Sequence, residues 1–222
     1  VTIAAVLTAA GSGSRLGRDV PKALVTVNGT PLVRWAASAL ATVAEVIVVT
    51  SPADALADFS HALAGVPAEI DVVPGGRTRQ DSVRAGVERL WGLDGDAVVL
   101  VHDAARPFMP VAVFGRLIEA AEHHDAAIPV LPVVDTIVSG MGGPITYLDR
   151  PSLGAVQTPQ AIRLAPLRDV HRRALDDGID ATDDGSLALH YGYTLATVAG
   201  DPLGRKITYP EDLEFFERRI SA

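Results

Sequence analysis

Apolar residues gather in short runs at Ile3–Thr8 (IAAVLT), Val46–Thr50 (VIVVT), Glu69–Val73 (EIDVV) and Ala97–Val101 (AVVLV). Continuous apolar runs of this length read as strands buried on both faces, the pattern of a parallel sheet. Amphipathic stretches lie between them: Leu32–Leu40 after Thr30 and Pro31, then Ala53–Ala64 and Ser82–Leu90. These predict helices, and the alternation predicts an α/β layered fold. In such sheets the ligand crevice forms beyond the carboxyl ends of the strands, so the loops after Thr8, Val73 and Val101 are expected to converge.

The pattern changes between Asp135 and Arg150. There DTIVSGMGGPITYLDR has β-like runs on either side of a Gly-Met-Gly-Gly-Pro turn, which predicts a hairpin leaving the main body. Residues 135–151 are read as a β-arm for dimerisation within a chain organised as one domain over residues 1–222. No internal repeat or Ser-rich linker marks a second boundary.

The 222 residues, 48% of them hydrophobic, suffice for a sizeable core. The net charge of −8 argues against a general nucleic-acid coat, so any anion site must be locally basic. With no cysteine, disulfides and thiolate metal sites are excluded. The start VTIAAVLTAAGS looks like a signal h-region but lacks a cationic n-region, so a cytoplasmic protein is expected; no apolar run reaches membrane-spanning length.

Chemistry concentrates in the predicted loops. After the first strand, AAGSGSRLGRDVPK (Ala9–Lys22) combines Gly11, Gly13 and Gly17 with Arg15, Arg18 and Lys22. Glycines let backbone N–H groups approach phosphate oxygens, arginine adds a planar fork and lysine a compact charge. This composition suits a triphosphate. A dinucleotide fingerprint needs a small residue where Leu16 stands and an acid closing EVIVVT, which disfavours a nicotinamide-dependent oxidoreductase. An ATPase-type loop fails because Gly17 is followed by Arg18 and Asp19.

The second loop, VVPGGRTRQDSV, offers Arg77, Arg79 and Ser82, although Asp81 or Ser82 reads equally as a helix cap. The third, VLVHDAARPFM, carries Asp103 and Arg106, and one exposed aspartate suffices for Mg²⁺ when a nucleotide triphosphate completes the shell. His102 reads as a packed histidine, and His123 and His124 as residues of a surface helix without zinc spacing. Trp35 and Trp91 read as filling helix–sheet contacts, and Asp176, Asp177, Asp180, Asp183 and Asp184 as facing water. Thr182 reads either as close to the site or as an N-cap.

Taken in order, AAGSGSRLG…PK, PGG…DSV, HDAARP, DT, a later Arg, TPQ and K-I-T resemble the 2-C-methyl-D-erythritol 4-phosphate cytidylyltransferase family over nearly the whole chain. The resemblance implies a Rossmann-like α/β fold with a mostly parallel central sheet and a projecting β-arm that joins a homodimer. It implies transfer of a cytidylyl group from CTP to methylerythritol phosphate with Mg²⁺. Arg15 and Lys22 would be the catalytic cations, and Ala9, Ala10, Gly11, Gly13, Gly76, Ser82 and Ala104 would bind CTP. Asp103, Arg106, Thr136, Arg150, Thr158 and Lys206 would surround the acceptor, with Asp103 also on the metal. A ribitol-5-phosphate cytidylyltransferase and a noncatalytic nucleotide sensor are the alternatives. The chain departs from the family at Thr8, where a proline is common, at Ser12 and Ser14, and at Arg77, where an acid is common.

Overall fold

A computed structural model describes residues 1–220 apart from 12, 14, 15, 18 and 19. The central sheet is built on strands β1 (Ile3–Thr8), β4 (Val46–Ser51), β5 (Glu69–Pro74) and β6 (Val98–Asp103), paired in parallel in the order β6-β1-β4-β5. Between β1 and β4 lie a small antiparallel pair, β2 (Thr26–Val27) with β3 (Thr30–Pro31), and helix α1 (Leu32–Leu40). Helices α2 (Leu56–Leu63) and α3 (Arg79–Arg89) flank β5, and α4 (Val111–Ala121) follows β6.

The other half of the sheet turns partly antiparallel. Strand β7 (Ala126–Pro132) leads into a hairpin of β8 (Val138–Ser139) and β9 (Thr146–Tyr147), after which β10 (Gly154–Val156) and β11 (Gln160–Arg163) run antiparallel to β7 along one edge. Strand β11 also pairs antiparallel with β6, which joins the two halves. Helices α5 (Leu164–Asp177) and α6 (Asp184–His190) come next, then β12 (Leu195–Ala199), parallel to β7 on its free side, and α7 (Pro210–Ile220).

Alternate side chains of the buried strands feed opposite layers, as a period of two requires. Ala5, Leu7, Ile47, Val49 and Leu100 pack with Val33, Ala37 and Leu40 of α1, Phe59 of α2 and Phe114 and Leu117 of α4. Ala4, Val6, Val48, Val99 and Val101 pack on the other face with Val83 and Val87 of α3, Leu164 and Leu167 of α5 and Ala188 of α6. A smaller cluster around Leu16, Val27, Leu32, Ile207 and Phe216 fastens α7 beside the start of α1.

The expected strands and helices are present, with shifted ends. Helix α3 begins earlier than Ser82, at Arg79, because Thr78 caps it: the Thr78 hydroxyl accepts from the Asp81 N–H at 3.0 Å and the Asp81 carboxylate accepts from the Thr78 N–H at 3.3 Å. Neither Asp81 nor Ser82 is the cap. Strand β6 extends through Asp103, so this acid closes a strand instead of starting a loop. His123 and His124 lie in the exposed turn after α4, not within a helix. Trp35 does pack as expected, half-buried with its ring 5.5 Å from Phe108 and its Nε1–H donating to the Val27 carbonyl. Trp91 does not: it is 80% exposed, because α3 ends at Arg89 and the following turn carries the ring away from the sheet.

His102 is buried edge-on to Phe114. Thr158 Oγ1 accepts from the Asp103 N–H at 3.0 Å and lies 2.9 Å from His102 Nδ1, while His102 Nε2 lies 3.2 Å from the Arg106 carbonyl. A carbonyl accepts only, so Nε2 carries the proton and Nδ1 accepts from the threonine hydroxyl. Burial pushes the His102 pKa from 6.5 down to about 4 despite the pull of the neighbouring Asp103 charge.

Truncating Phe114, which is fully buried, to alanine is expected to lower stability by about 3–5 kcal/mol in a denaturant titration. Trp91→Ala should change it by less than about 0.5 kcal/mol. His102 yields a pH signature with a definite sign. Between pH 6.5 and 4 the unfolded chain takes up a proton that the folded His102 refuses, so stability falls as pH falls through this window. The loss should be smaller in a folded His102→Gln variant when unfolding is followed across the same range.

Candidate functional site

Parallel register places the carboxyl ends of the central strands side by side: Thr8 pairs with Thr50 and Asp103, and Thr50 with Val73. Backbone bonds carry the alignment into the loops. Ala9 N–H donates to the Thr50 carbonyl at 2.8 Å, Ala104 N–H to the Thr8 carbonyl at 3.0 Å, and Gly75 N–H to the Ser51 carbonyl at 2.8 Å. Loops after β1, β5 and β6 therefore converge, as the strand pattern predicts. Between them lies a cavity of about 300 Å³, lined by Ala9, Ala10, Gly11, Gly13 and Lys22 from the first loop and Gly76 to Arg79 with Ser82 from the second. Asp103, Ala104, Ala105, Lys206 and Thr208 close it from the other side.

Two glycines shape this wall. Gly13 has φ +67°, and a Cβ on it would fall 2.5 Å from the Cβ of Lys22, so glycine allows both the left-handed turn and the close approach of the lysine. A Cβ on Gly76 would meet Asp81 at 2.1 Å. Its backbone N–H donates to Ser82 Oγ at 3.1 Å, while the Ser82 hydroxyl donates to the Thr78 carbonyl at 2.9 Å. Ser82 thus fixes the Gly76 turn from the first residues of α3.

Charge in the cavity runs against the protein's overall balance. Lys22, Arg77, Arg79 and Lys206 line it, and Asp103 is the carboxylate among its described lining residues. Asp103, 7% exposed, accepts from Lys206 Nζ at 2.7 Å, Arg79 Nε at 2.9 Å and Thr8 Oγ1 at 3.2 Å. Burial alone would raise its pKa, but the Arg79 and Lys206 charges outweigh burial and hold it far below the usual carboxylate range. Lys206 reaches this point because the Ile207 N–H is tied to the Ala105 carbonyl at 2.8 Å.

The expected site residues fall into distinct groups. Ala9, Ala10, Gly11, Gly13, Lys22, Gly76, Ser82, Asp103, Ala104 and Lys206 meet in the cavity. Arg15 lies outside the described residues, as does Arg18. Thr158 is buried behind the wall, holding the Asp103 backbone and His102. Arg106 is directed toward the C-terminal segment, donating from Nη1 to the Gly204 carbonyl at 2.7 Å, and burial lowers its pKa. Thr136 and Arg150 are exposed at the base of the hairpin, where Arg150 Nη1 donates to the Val134 carbonyl at 3.0 Å. The structure does not bring these two into the cavity of their own chain.

Sequence reasoning missed the pairing of Arg79, which bridges Asp103 and Asp184, the latter at 2.7 Å. It also placed Asp184 in water, whereas this residue is 2% exposed and also accepts from His171 Nε2 at 2.9 Å. Asp183, not Thr182, caps α6, its carboxylate accepting from the Ser186 N–H, and this turns Asp184 inward. The T-x-x-D spacing from Thr78 to Asp81 was a readable signal for where α3 begins, and hence for Arg79 facing the sheet.

The model of the 2-C-methyl-D-erythritol 4-phosphate cytidylyltransferase family matches residues 3–220. The chain is 42% identical over 220 residues to a bifunctional enzyme IspD/IspF of Granulibacter bethesdensis, covering 99% of this chain and 56% of that protein. It is 43% identical over 225 residues to the enzyme of the same name from Rhodopseudomonas palustris, covering 99% of this chain and 55% of that one. The chain therefore spans about half the length of these curated relatives. Among solved structures, 2-C-methyl-D-erythritol 4-phosphate cytidylyltransferase from Thermus thermophilus superposes with a TM-score of 0.83 at 34% identity, covering 100% of both chains. The bifunctional IspDF of Campylobacter jejuni gives 0.81 at 27% identity over 96% of this chain and 54% of that one. With a family match along nearly its entire length and a basic cavity at the carboxyl edge of its sheet, the chain belongs to the 2-C-methyl-D-erythritol 4-phosphate cytidylyltransferase family.

Proposed function

We propose that the chain transfers a cytidylyl group from CTP to 2-C-methyl-D-erythritol 4-phosphate, giving 4-diphosphocytidyl-2-C-methyl-D-erythritol and pyrophosphate. The observation that carries this reading is the placement of Lys22 and Lys206 around one cavity with the ionised Asp103, in a chain of this family. Two cation sets suit two phosphate-bearing substrates. The first loop takes the triphosphate, and Lys206 with Asp103 takes the acceptor side.

An acceptor phosphate oxygen attacks the α-phosphorus in line; a new phosphoanhydride bond forms as the bond to the β-phosphate breaks, and the electron pair leaves with pyrophosphate. No protein nucleophile is needed. Catalysis rests on positioning and on cations that meet charge developing on the nonbridging and leaving oxygens. Lys22 supplies one such cation beside the Gly13 turn, and Arg15 of the same loop is proposed as the second. Gly76 and Ser82 frame the base: a pyrimidine-specific pocket leaves backbone groups unpaired when a wrong base enters.

The donor set fits Mg²⁺. Asp103 is a hard oxygen donor that stays ionised, and one carboxylate with phosphate oxygens and water is a common shell for this ion. Asp103 would hold the ion while Arg79 and Lys206, which engage its two oxygens, keep the carboxylate in place. When bound, the metal would neutralise phosphate charge and make the α-phosphorus more electrophilic.

A homodimer through the hairpin is part of the same proposal. Met141, Ile145 and Tyr147 are exposed apolar residues of the arm, a surface suited to burial against a second copy. Thr136 and Arg150, remote from their own cavity, would then serve the partner's acceptor site. No helix among the described residues is long and apolar enough to cross a membrane.

Incubation with Mg²⁺, CTP and methylerythritol phosphate should release pyrophosphate, and ribitol 5-phosphate should replace the acceptor poorly; silence with methylerythritol phosphate would overturn the reading. Lys22→Ala and Arg15→Ala are each expected to lose about a hundredfold in turnover while keeping the fold, about 3 kcal/mol of transition-state stabilisation. Charging the arm with Met141→Asp and Tyr147→Asp should give a monomer that still binds CTP but turns over about a hundredfold more slowly. A monomer with unaltered turnover contradicts the shared-site arrangement.

A further inference from the structure

Asp184 is a buried carboxylate that the proposed reaction does not use. Its Oδ2 accepts from Arg79 Nη1 at 2.7 Å and its Oδ1 from His171 Nε2 at 2.9 Å. The backbone beneath it is fixed as well, since Gln160 Oε1 accepts from both the Asp184 and Gly185 N–H groups and Gln160 Nε2 donates to Asp183 Oδ2. Burial would raise the pKa of Asp184, but the Arg79 charge and the His171 hydrogen bond hold it down. An ion pair at this depth forgoes hydration, so it is weak evidence for stability and calls for another role.

Geometry supplies one. Arg79 places Nε on Asp103 Oδ1 and Nη1 on Asp184 Oδ2, so its planar guanidinium is anchored at two corners, and among the described residues Lys206 is the cation on Asp103 Oδ2. Without the second anchor, Asp103 would be the sole carboxylate facing Arg79 among the described residues. An arginine fork facing one carboxylate favours two parallel bonds, and these would compete with Lys206 for Oδ2. We propose that Asp184 is a positioning residue that, through Arg79, keeps Asp103 and Lys206 arranged for the acceptor phosphate. His171 and Gln160 hold Asp184 in place. The inference rests on the cytidylyl-transfer reading, with Lys206 on the acceptor side.

Asp184→Asn keeps the shape and removes the charge. In steady-state kinetics it is expected to raise the KM for methylerythritol phosphate and lower kcat, each by at least about tenfold. Equilibrium CTP binding, measured by calorimetry without Mg²⁺ so that a metal held at Asp103 does not enter, should stay within about twofold, because the first loop and Gly76 are untouched. Arg79→Lys, which cannot bridge both carboxylates, should give the same split, and combining the two should be no worse than the more damaging one within about twofold. A purely structural role predicts instead a fall in melting temperature with CTP binding and turnover lost together, and that result, additive effects or unchanged acceptor kinetics would overturn the proposal. Should Asp184→Asn fail to fold, Arg79→Lys decides by the same split. Wild-type protein assayed alongside separates the two readings: an inactive wild type removes both, whereas an active wild type with a normal variant removes only the role of Asp184.

Discussion

A buried carboxylate at the end of β6 organises this molecule. Asp103 sits where a lone charge would be strongly disfavoured, and it remains ionised because Thr8, Arg79 and Lys206 reach it from three separate stretches of chain. Meeting that requirement brings the C-terminal segment and the start of α3 against the first strand. The cavity is the space these converging segments leave. Asp184 pairs with Arg79 and is hydrogen-bonded by His171, so the wall of the cavity is tied to α5 and α6 as well.

Much of the fold was legible in the sequence because buried parallel strands are written as apolar runs, and the helices between them as amphipathic stretches. IAAVLT and VIVVT needed no tertiary information to be read as strands, and the convergence of loops at one edge follows from parallel connectivity alone. The glycine loop was legible for a related reason. Gly13 is required by a local φ and by Lys22 only nine positions on, so turn and cation appear in one short window.

What was illegible depends on long-range pairing. Arg79 and Asp184 are separated by 105 positions, and within DDGIDATDDG nothing distinguishes an acid that meets an arginine from one that meets water. Trp91 failed for the opposite reason: a large aromatic residue after an amphipathic segment suggests packing, but where a helix stops decides which way the next residue faces. Thr158 illustrates a third limit. A motif places it near the chemistry, whereas the structure shows its hydroxyl holding the Asp103 backbone and His102. Among the described residues, the family's motif residues therefore divide into those that line the cavity, those such as Thr158 that shape it from behind, and Thr136 and Arg150, which lie on the hairpin away from it.

If the carboxyl edge of the parallel sheet is a CTP site whose acceptor side is set by Asp103 and Lys206, a crystal structure of the chain with CTP and Mg²⁺ tests it most directly. The expected complex has the cytosine against Gly76 and Ser82, the triphosphate along the Ala9–Lys22 loop beside Lys22, and the α-phosphate turned toward Asp103 and Lys206. A nucleotide bound elsewhere, or bound in the cavity with its base beside Lys206 and its phosphates away from the first loop, would contradict it.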